Sequence, residues 1–191
     1  MKWLGILLAI VVAVVVIYKL SFPTYPYRYR LQVSLSIDGQ IYAGSSVIEV
    51  TWKCGPKIAG LGQCAASLRG QAATIDLGSR GVVVATLVNG ENYVSAKDGA
   101  TNAIWLCANA FGDIKSDQDL PKLPKLSGKR DLVPPNFPRL IWFKNSEDPA
   151  TATRLLLQDI PTAFGASAHF AGAAVEITGD PIVVDINRKF P

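Results

Sequence analysis

The stretch LQVSLSIDG, residues 31–39, decides the fold. Every second residue of its first seven is apolar: Leu31, Val33, Leu35 and Ile37. This strict alternation with polar residues is the period-two pattern of a strand with one buried face. Asp38-Gly39 follows at once, a pair that tolerates the positive φ angles of a tight turn. The stretch therefore predicts the first strand and the turn of a β-hairpin.

The residues after the turn predict the return strand. Between Gln40 and Lys53, one face carries Ile48, Val50 and Trp52, again at every second position. Gly44 interrupts the pattern, and we interpret it as the mark of a β-bulge.

Weaker patterns predict the rest of the domain. Strands are predicted over residues 71–77, 82–88, 139–144 and 168–178, and short helices over 101–111, 159–164 and 180–187. Five prolines punctuate residues 121–138, which predicts a long loop. The expected fold class is α+β: one mainly antiparallel β-sheet domain with a few short helices, over residues 31–191.

An apolar run, WLGILLAIVVAVVVIY, extends from Trp3 to Tyr18 without a charge or a proline. Its sixteen residues span about 24 Å as a helix. The hydrocarbon core of roughly 30 Å is crossed if Leu20 and Phe22 contribute and Lys19 reaches the headgroups. We therefore predict one transmembrane anchor over residues 1–22. A cleaved signal peptide is the alternative, but the following KLSFPTYPYRYR has no Ala-x-Ala cleavage site.

Residues 23–30 alternate tyrosine with proline or arginine. Two prolines discourage a helix, so an extended stalk along the membrane surface is predicted. Aromatic rings beside arginine also resemble a platform for stacking bases, but next to an anchor we favour contact with lipid headgroups. The predicted membrane-interface residues are Trp3, Tyr18, Lys19, Tyr25, Tyr27, Arg28, Tyr29 and Arg30.

Small residues recur along the predicted anchor at Gly5, Ala9 and Ala13. A spacing of four places them on one helix face, where another helix can approach closely. This ridge predicts pairing with a second copy or with another membrane protein. The alternative is that small residues are simply common in membrane helices.

The net charge of +4 belongs to the N-terminal region. Residues 1–30 hold four basic side chains and no acid, and subtracting these four from 19 leaves 15 basic against 15 acidic residues in 31–191. A neutral domain lacks the cationic surplus on which nucleic-acid affinity depends, so no nucleic-acid partner is expected. Counting positive charges on either side of the anchor is close to a tie. We predict a bacterial inner-membrane protein with a periplasmic domain, and keep the cytoplasmic orientation as the alternative.

Few residues suggest chemistry. Cys54 and Cys64 are ten apart and could form a disulfide in an oxidising compartment, or could stay buried thiols like Cys107. A single histidine and the absence of Cys-x-x-Cys argue against zinc. Ser167 and His169 share strand spacing, but the sequence around them lacks a nucleophile elbow and an orienting acid. No catalytic residue, metal or cofactor is therefore predicted.

Four segments carry a resemblance: Tyr27 to Leu31, Gly44 to Val50, Pro138 to Leu140 and Glu176 to Pro181. In these segments the chain resembles a group of uncharacterised proteobacterial membrane-anchored proteins of unassigned function. The resemblance implies a bacterial origin and a shared fold. It carries over no active residue.

The expected function is that of a membrane-tethered accessory or interaction protein without catalytic activity, such as a small subunit of a bacterial membrane complex. Its partners would be the lipid bilayer and a membrane protein or a second copy. One alternative is an envelope serine hydrolase using Ser167 and His169. The other is a lipid or small-ligand carrier, which needs an apolar cavity inside the sheet.

Overall fold

The computed structural model describes residues 2–56, 64–89, 103–112, 114–182 and 184. Helix α1 spans Lys2–Ser21, as the uninterrupted apolar run suggests. Judged on the described residues alone, no helix is both long and apolar enough to cross a membrane.

Nine described strands form two antiparallel sheets. They are β1 (Thr24–Ile37), β2 (Gln40–Cys54), β3 (Cys64–Arg69), β4 (Ala73–Asp76), β5 (Val82–Asn89), β6 (Lys129–Asp131), β7 (Pro138–Phe143), β8 (Ala152–Leu155) and β9 (His169–Ile177). One sheet has the order β3-β2-β1-β9-β6 and the other the order β4-β5-β7-β8. The predicted α+β class with mainly antiparallel pairing is confirmed, although the strands divide between two sheets where one was expected.

The hairpin at the centre of the larger sheet follows its sequence pattern. Asp38 and Gly39 adopt φ angles of 53° and 76°, and Ile37 pairs with Gln40. The buried row of β1 begins earlier than predicted, because Tyr27 and Tyr29 stand in phase with Leu31 and are buried as it is. The separate stalk over residues 23–30 is therefore corrected: from Thr24 onward these residues are the first half of β1. The period of two outweighs the prolines, and Pro26 occupies an exposed position.

Gly44 does not mark a bulge. The β1 and β2 register runs without a break, with Val33 opposite Gly44. A Cβ atom at Gly44 would collide with the carbonyl oxygen of Thr74 in β4. The glycine therefore lets the second sheet cross close over the first. A real irregularity lies in β9, where the register with β1 shifts between Ser34 and Leu35.

Short helices connect the strands. Helix α2 spans Ala103–Phe111 and α3 spans Ile160–Phe164, both inside predicted helices. Part of the predicted 121–138 loop is occupied by β6 and by a 3-10 helix at Asp117–Lys125. The 3-10 helix forms because Leu120 and Leu123, three residues apart, are buried against β1. At the C-terminus, residues 180–182 and 184 are not helical, which corrects the start of the predicted 180–187 helix. Residues 183 and 185–187 lie outside the described residues.

The core lies on the inner face of the five-stranded sheet. Sheet β4-β5-β7-β8 covers this face toward the Asp38-Gly39 turn, and α2 with the 3-10 helix covers it toward the start of β1. Its largest fully buried side chains include Tyr29, Leu31, Leu35 and Ile48. One hydrophobic core therefore serves both sheets, and β1 passes through its middle.

Candidate functional site

Helix α1 exposes its apolar surface along its length. Every side chain from Gly5 to Leu20 is exposed, with Trp3 at 85% and Leu20 at 76%. By contrast, the large apolar side chains exposed elsewhere in the described chain are few and far apart in the sequence: Phe22, Ile41, Val88, Val133 and Val184. A continuous apolar surface of this kind marks contact with a membrane or another protein.

The predicted ridge lies on this exposed helix. Gly5, Ala9 and Ala13 are all exposed, and a Cβ placed on Gly5 would meet no atom within 4 Å. The face is open to a second helix, but the described chain places nothing against it.

A short, ordered connection joins α1 to the sheet. Two residues, Phe22 and Pro23, separate the end of α1 from Thr24. The Phe22 backbone N–H donates to the Tyr18 carbonyl at 2.9 Å, and the Cys54 N–H donates to the Pro23 carbonyl at 3.0 Å. The end of β2 therefore binds the connection itself.

The disulfide lies beside this connection. Cys54, the last residue of β2, is bonded to Cys64, the first residue of β3, and the two pair in register. Of the two alternatives left open by the sequence, the structure has the disulfide. Cys107 is a buried free thiol in α2, and burial raises its pKa to about 12.

Two tyrosines hold α2 against the sheet. The Tyr29 hydroxyl donates to the carbonyl of Ala103 at 2.6 Å and the Tyr27 hydroxyl to that of Ile104 at 2.9 Å. Burial raises the pKa of both hydroxyls well above the usual value, so both stay protonated donors. Tyr27 and Tyr29 are thus core residues, which corrects their predicted role at the membrane interface. The sequence signal for their burial is the alternation of strand residues, which places Tyr27 and Tyr29 on the same face as Leu31.

The two arginines of the predicted interface are engaged on the outer face of the sheet. Ion pairs cross this face in two groups, Arg28–Glu49–Arg69 and Glu176–Arg30–Asp180. The Arg28 Nε lies 2.7 Å from Glu49 Oε2, and Arg30 Nη1 lies 3.3 Å from Glu176 Oε2. Each half-exposed pair contributes about 1 kcal/mol or less to stability. Carboxylates therefore already offset both guanidinium charges, and the predicted contact of Arg28 and Arg30 with headgroups stays a prediction.

The structure places the His169 imidazole against the backbone of Ser167 and not against its hydroxyl. The imidazole Nδ1 lies 3.1 Å from the backbone carbonyl oxygen of Ser167, and both side chains are exposed. Within the described chain, neither the Ser167 hydroxyl nor a carboxylate hydrogen-bonds the imidazole. The arrangement therefore supplies no activated nucleophile of the kind that a serine hydrolase needs.

A polar groove runs along β9 on the outer face. It has a volume of about 360 Å³, and its lining residues include Gln32, Asp131, Gly172 and Ala174. The groove is open and polar, unlike the interior apolar cavity that the carrier hypothesis requires. Among the described residues, no three His, Cys, Asp or Glu side chains cluster to hold a metal.

Comparison with protein-family models, curated proteins and solved structures found no match for this chain. The resemblance to proteobacterial membrane-anchored proteins therefore stays a prediction.

Proposed function

We propose that this chain is a membrane-tethered interaction protein without catalytic activity of its own. Helix α1 holds it in a bacterial inner membrane as a single-pass anchor, and the domain faces the periplasm as an accessory subunit of a membrane complex. The observation that carries the proposal is the unbroken exposure of the uncharged, apolar run from Ile6 to Tyr18.

Among the described residues no helix is long and apolar enough to cross a membrane, so the proposal draws on the whole sequence of the predicted anchor, residues 1–22. Twenty residues give a helix about 30 Å long, which equals the thickness of the hydrocarbon core. Eleven of its Leu, Ile and Val side chains are exposed. At about 0.3 to 0.6 kcal/mol for each, they favour the bilayer by about 5 kcal/mol.

The disulfide supports the periplasmic orientation. Cys54 and Cys64 are joined, and disulfides persist in oxidising compartments such as the periplasm, whereas cytosolic thiols are kept reduced. The disulfide therefore favours the periplasmic orientation, whereas the flanking charges leave the two orientations nearly balanced.

Alkaline carbonate extraction tests the anchor. The full chain should stay in the membrane pellet, while the double variant Val11→Lys, Val14→Lys should be released, because two lysines near the helix centre cost about 5 to 7 kcal/mol. The matched control Ile41→Lys, Val133→Lys changes two exposed apolar residues of the domain and should behave like the parent. Release of the parent protein, or a mature N-terminus beginning after Tyr18, would overturn the anchor.

Orientation and partnership need separate tests. In intact spheroplasts, externally added protease should degrade the domain, and survival of the domain would contradict the periplasmic assignment. Extraction in mild detergent should recover a second membrane protein or a dimer, and a protein that always emerges alone and monomeric would refute the accessory role. Labelling of Ser167 by a serine-directed probe would refute the absence of catalysis.

A further inference from the structure

The end of the domain nearest α1 brings aromatic side chains from three elements together. We name it the α1-proximal end and define it by Phe22, Tyr25, Lys53, Trp52 and Trp105. Tyr25 pairs in register with Trp52, and the Trp52 and Trp105 rings contact edge to face with centroids 4.7 Å apart. Trp105 of helix α2 therefore lies at the end of the sheet where β1 begins.

The covalent connection fixes how far this end can lie from the end of α1. Ser21 and Thr24 are three residues apart, which limits their separation to about 10 Å. The hydrogen bond from Cys54 to Pro23 binds the connection to β2 and restricts it further. If α1 crosses the bilayer, the α1-proximal end cannot leave the headgroup region.

The side chains exposed there suit a lipid surface. Phe22 is 44% exposed, Tyr25 and Trp105 are half-buried, and Lys53 is exposed. Tyrosine and tryptophan favour the membrane interface because one end of each ring is apolar and the other polar. Partial exposure leaves part of each ring free to contact lipid.

The described residues of the α1-proximal end include basic side chains and no acidic one. Described residues 19–27, 52–56, 64–66 and 103–106 contain Lys19 and Lys53 and no Asp or Glu. At the opposite end of the hairpin, Asp38 pairs with Arg80. An acid-free, basic and aromatic surface is attracted to anionic headgroups by about 1 kcal/mol for each lysine.

We infer that the α1-proximal end is a lipid-docking surface, in which Tyr25, Trp105 and Lys53 contact the anionic headgroups of the outer leaflet. The domain is thereby held upright on the bilayer, with the Asp38-Gly39 turn at its far end. This inference rests on the proposed membrane anchor.

The four tryptophans of the chain allow the inference to be tested in one experiment. Trp3 reports on α1 and Trp105 on the α1-proximal end. The Trp142 indole donates to the Arg80 carbonyl at 2.8 Å, beside the turn, about 45 Å along β1 from Thr24. The full chain, labelled with fluorotryptophan, is placed in nanodiscs of phosphatidylethanolamine and phosphatidylglycerol that contain a gadolinium-chelating lipid, and fluorine NMR is recorded.

We expect the Trp3 and Trp105 resonances to broaden and the Trp142 resonance to stay sharp. A Trp105 resonance as sharp as that of Trp142, with Trp3 broadened, would overturn the docking surface and leave the anchor standing. A sharp Trp3 resonance would overturn the anchor, and the inference with it.

A charge-reversal pair tests the contribution of the lysine. Lys53→Glu should lower the broadening of Trp105 at least twofold, because it places an acid against anionic headgroups. Lys144→Glu is the matched control, since Lys144 lies 5.2 Å from the Trp142 ring at the far end, and it should leave Trp105 unchanged. Equal effects of the two variants on Trp105 would refute contact through Lys53.

Discussion

Replacing Tyr29 by phenylalanine isolates the hydroxyl group that holds α2 to the sheet. The ring is 0% exposed, and its hydroxyl lies 2.6 Å from the carbonyl oxygen of Ala103. Phenylalanine fills the same space without the donor, and water cannot replace it in so closed a position. The substitution therefore tests the packing of residues 23–30 without creating a cavity.

The expected loss follows from the hydrogen bond. An intramolecular hydrogen bond contributes about 1 kcal/mol net, and a buried acceptor left unpaired costs more. The Ala103 carbonyl lies in the first turn of α2 and keeps its helical hydrogen bond, so it is not left wholly unpaired. We therefore expect Tyr29→Phe to lower the free energy of unfolding by about 1.5 kcal/mol. Tyr27→Phe should cost about 1 kcal/mol, because its longer bond is slightly exposed.

Urea unfolding of the full chain in mild detergent, followed by tryptophan fluorescence, measures the effect. With a slope of roughly 2 kcal/mol per molar urea, the Tyr29→Phe midpoint should fall by about 0.7 M. Tyr42→Phe is the control, because its hydroxyl bonds Gln40 on the surface, and it should leave the midpoint unchanged. Equal midpoints for Tyr29→Phe and Tyr42→Phe would refute burial of Tyr29 and return residues 23–30 to the membrane surface.

Three further predictions concern stability. Replacing both Cys54 and Cys64 by serine should lower the free energy of unfolding by about 2.7 kcal/mol, the loop entropy for a separation of ten residues, and equal midpoints with and without reductant would contradict this. Gly44→Ala places a Cβ against the β4 backbone and should cost about 1 to 3 kcal/mol, whereas Gly179→Ala, with no atom within 4 Å, should be neutral in the same urea assay. Burial raises the pKa of Cys107 from 9.0 to about 12, so its thiol ionises first in the unfolded state. Ionisation of this thiol should therefore lower stability by up to about 1.4 kcal/mol per pH unit above pH 9. Cys107→Ala should show a shallower fall between pH 9 and 10, and the remaining fall comes from Tyr27 and Tyr29, whose pKa burial also raises.

The central hairpin could be predicted from the sequence because its signals are local. The alternation from Leu31 to Ile37 and the Asp38-Gly39 turn fix both the pairing and the buried face. Tyr25, Tyr27 and Tyr29 obey the same period, but their prolines and arginines, next to an apolar run, favoured a membrane stalk. Composition and periodicity disagreed there, and periodicity was the better guide to structure.

The remaining features depend on contacts between distant segments. In the sequence, Gly44 indicates only that this position has no side chain. The structure gives the reason, because Thr74 of the other sheet approaches Gly44 closely. The Cys54–Cys64 bond depends on the register between β2 and β3, which spacing alone left open. The α1-proximal end could not be predicted either, because Trp105 reaches it only through the packing of α2.

The position of β1 has a mechanical consequence. This strand follows α1 after two residues and lies between β2 and β9, with antiparallel hydrogen bonds on both edges. A pull transmitted through α1 acts along β1, so the interstrand bonds on both sides share the load in shear and do not open one after another. If a moving partner in the membrane drags on the helix, the domain follows it as a rigid body before it begins to unravel.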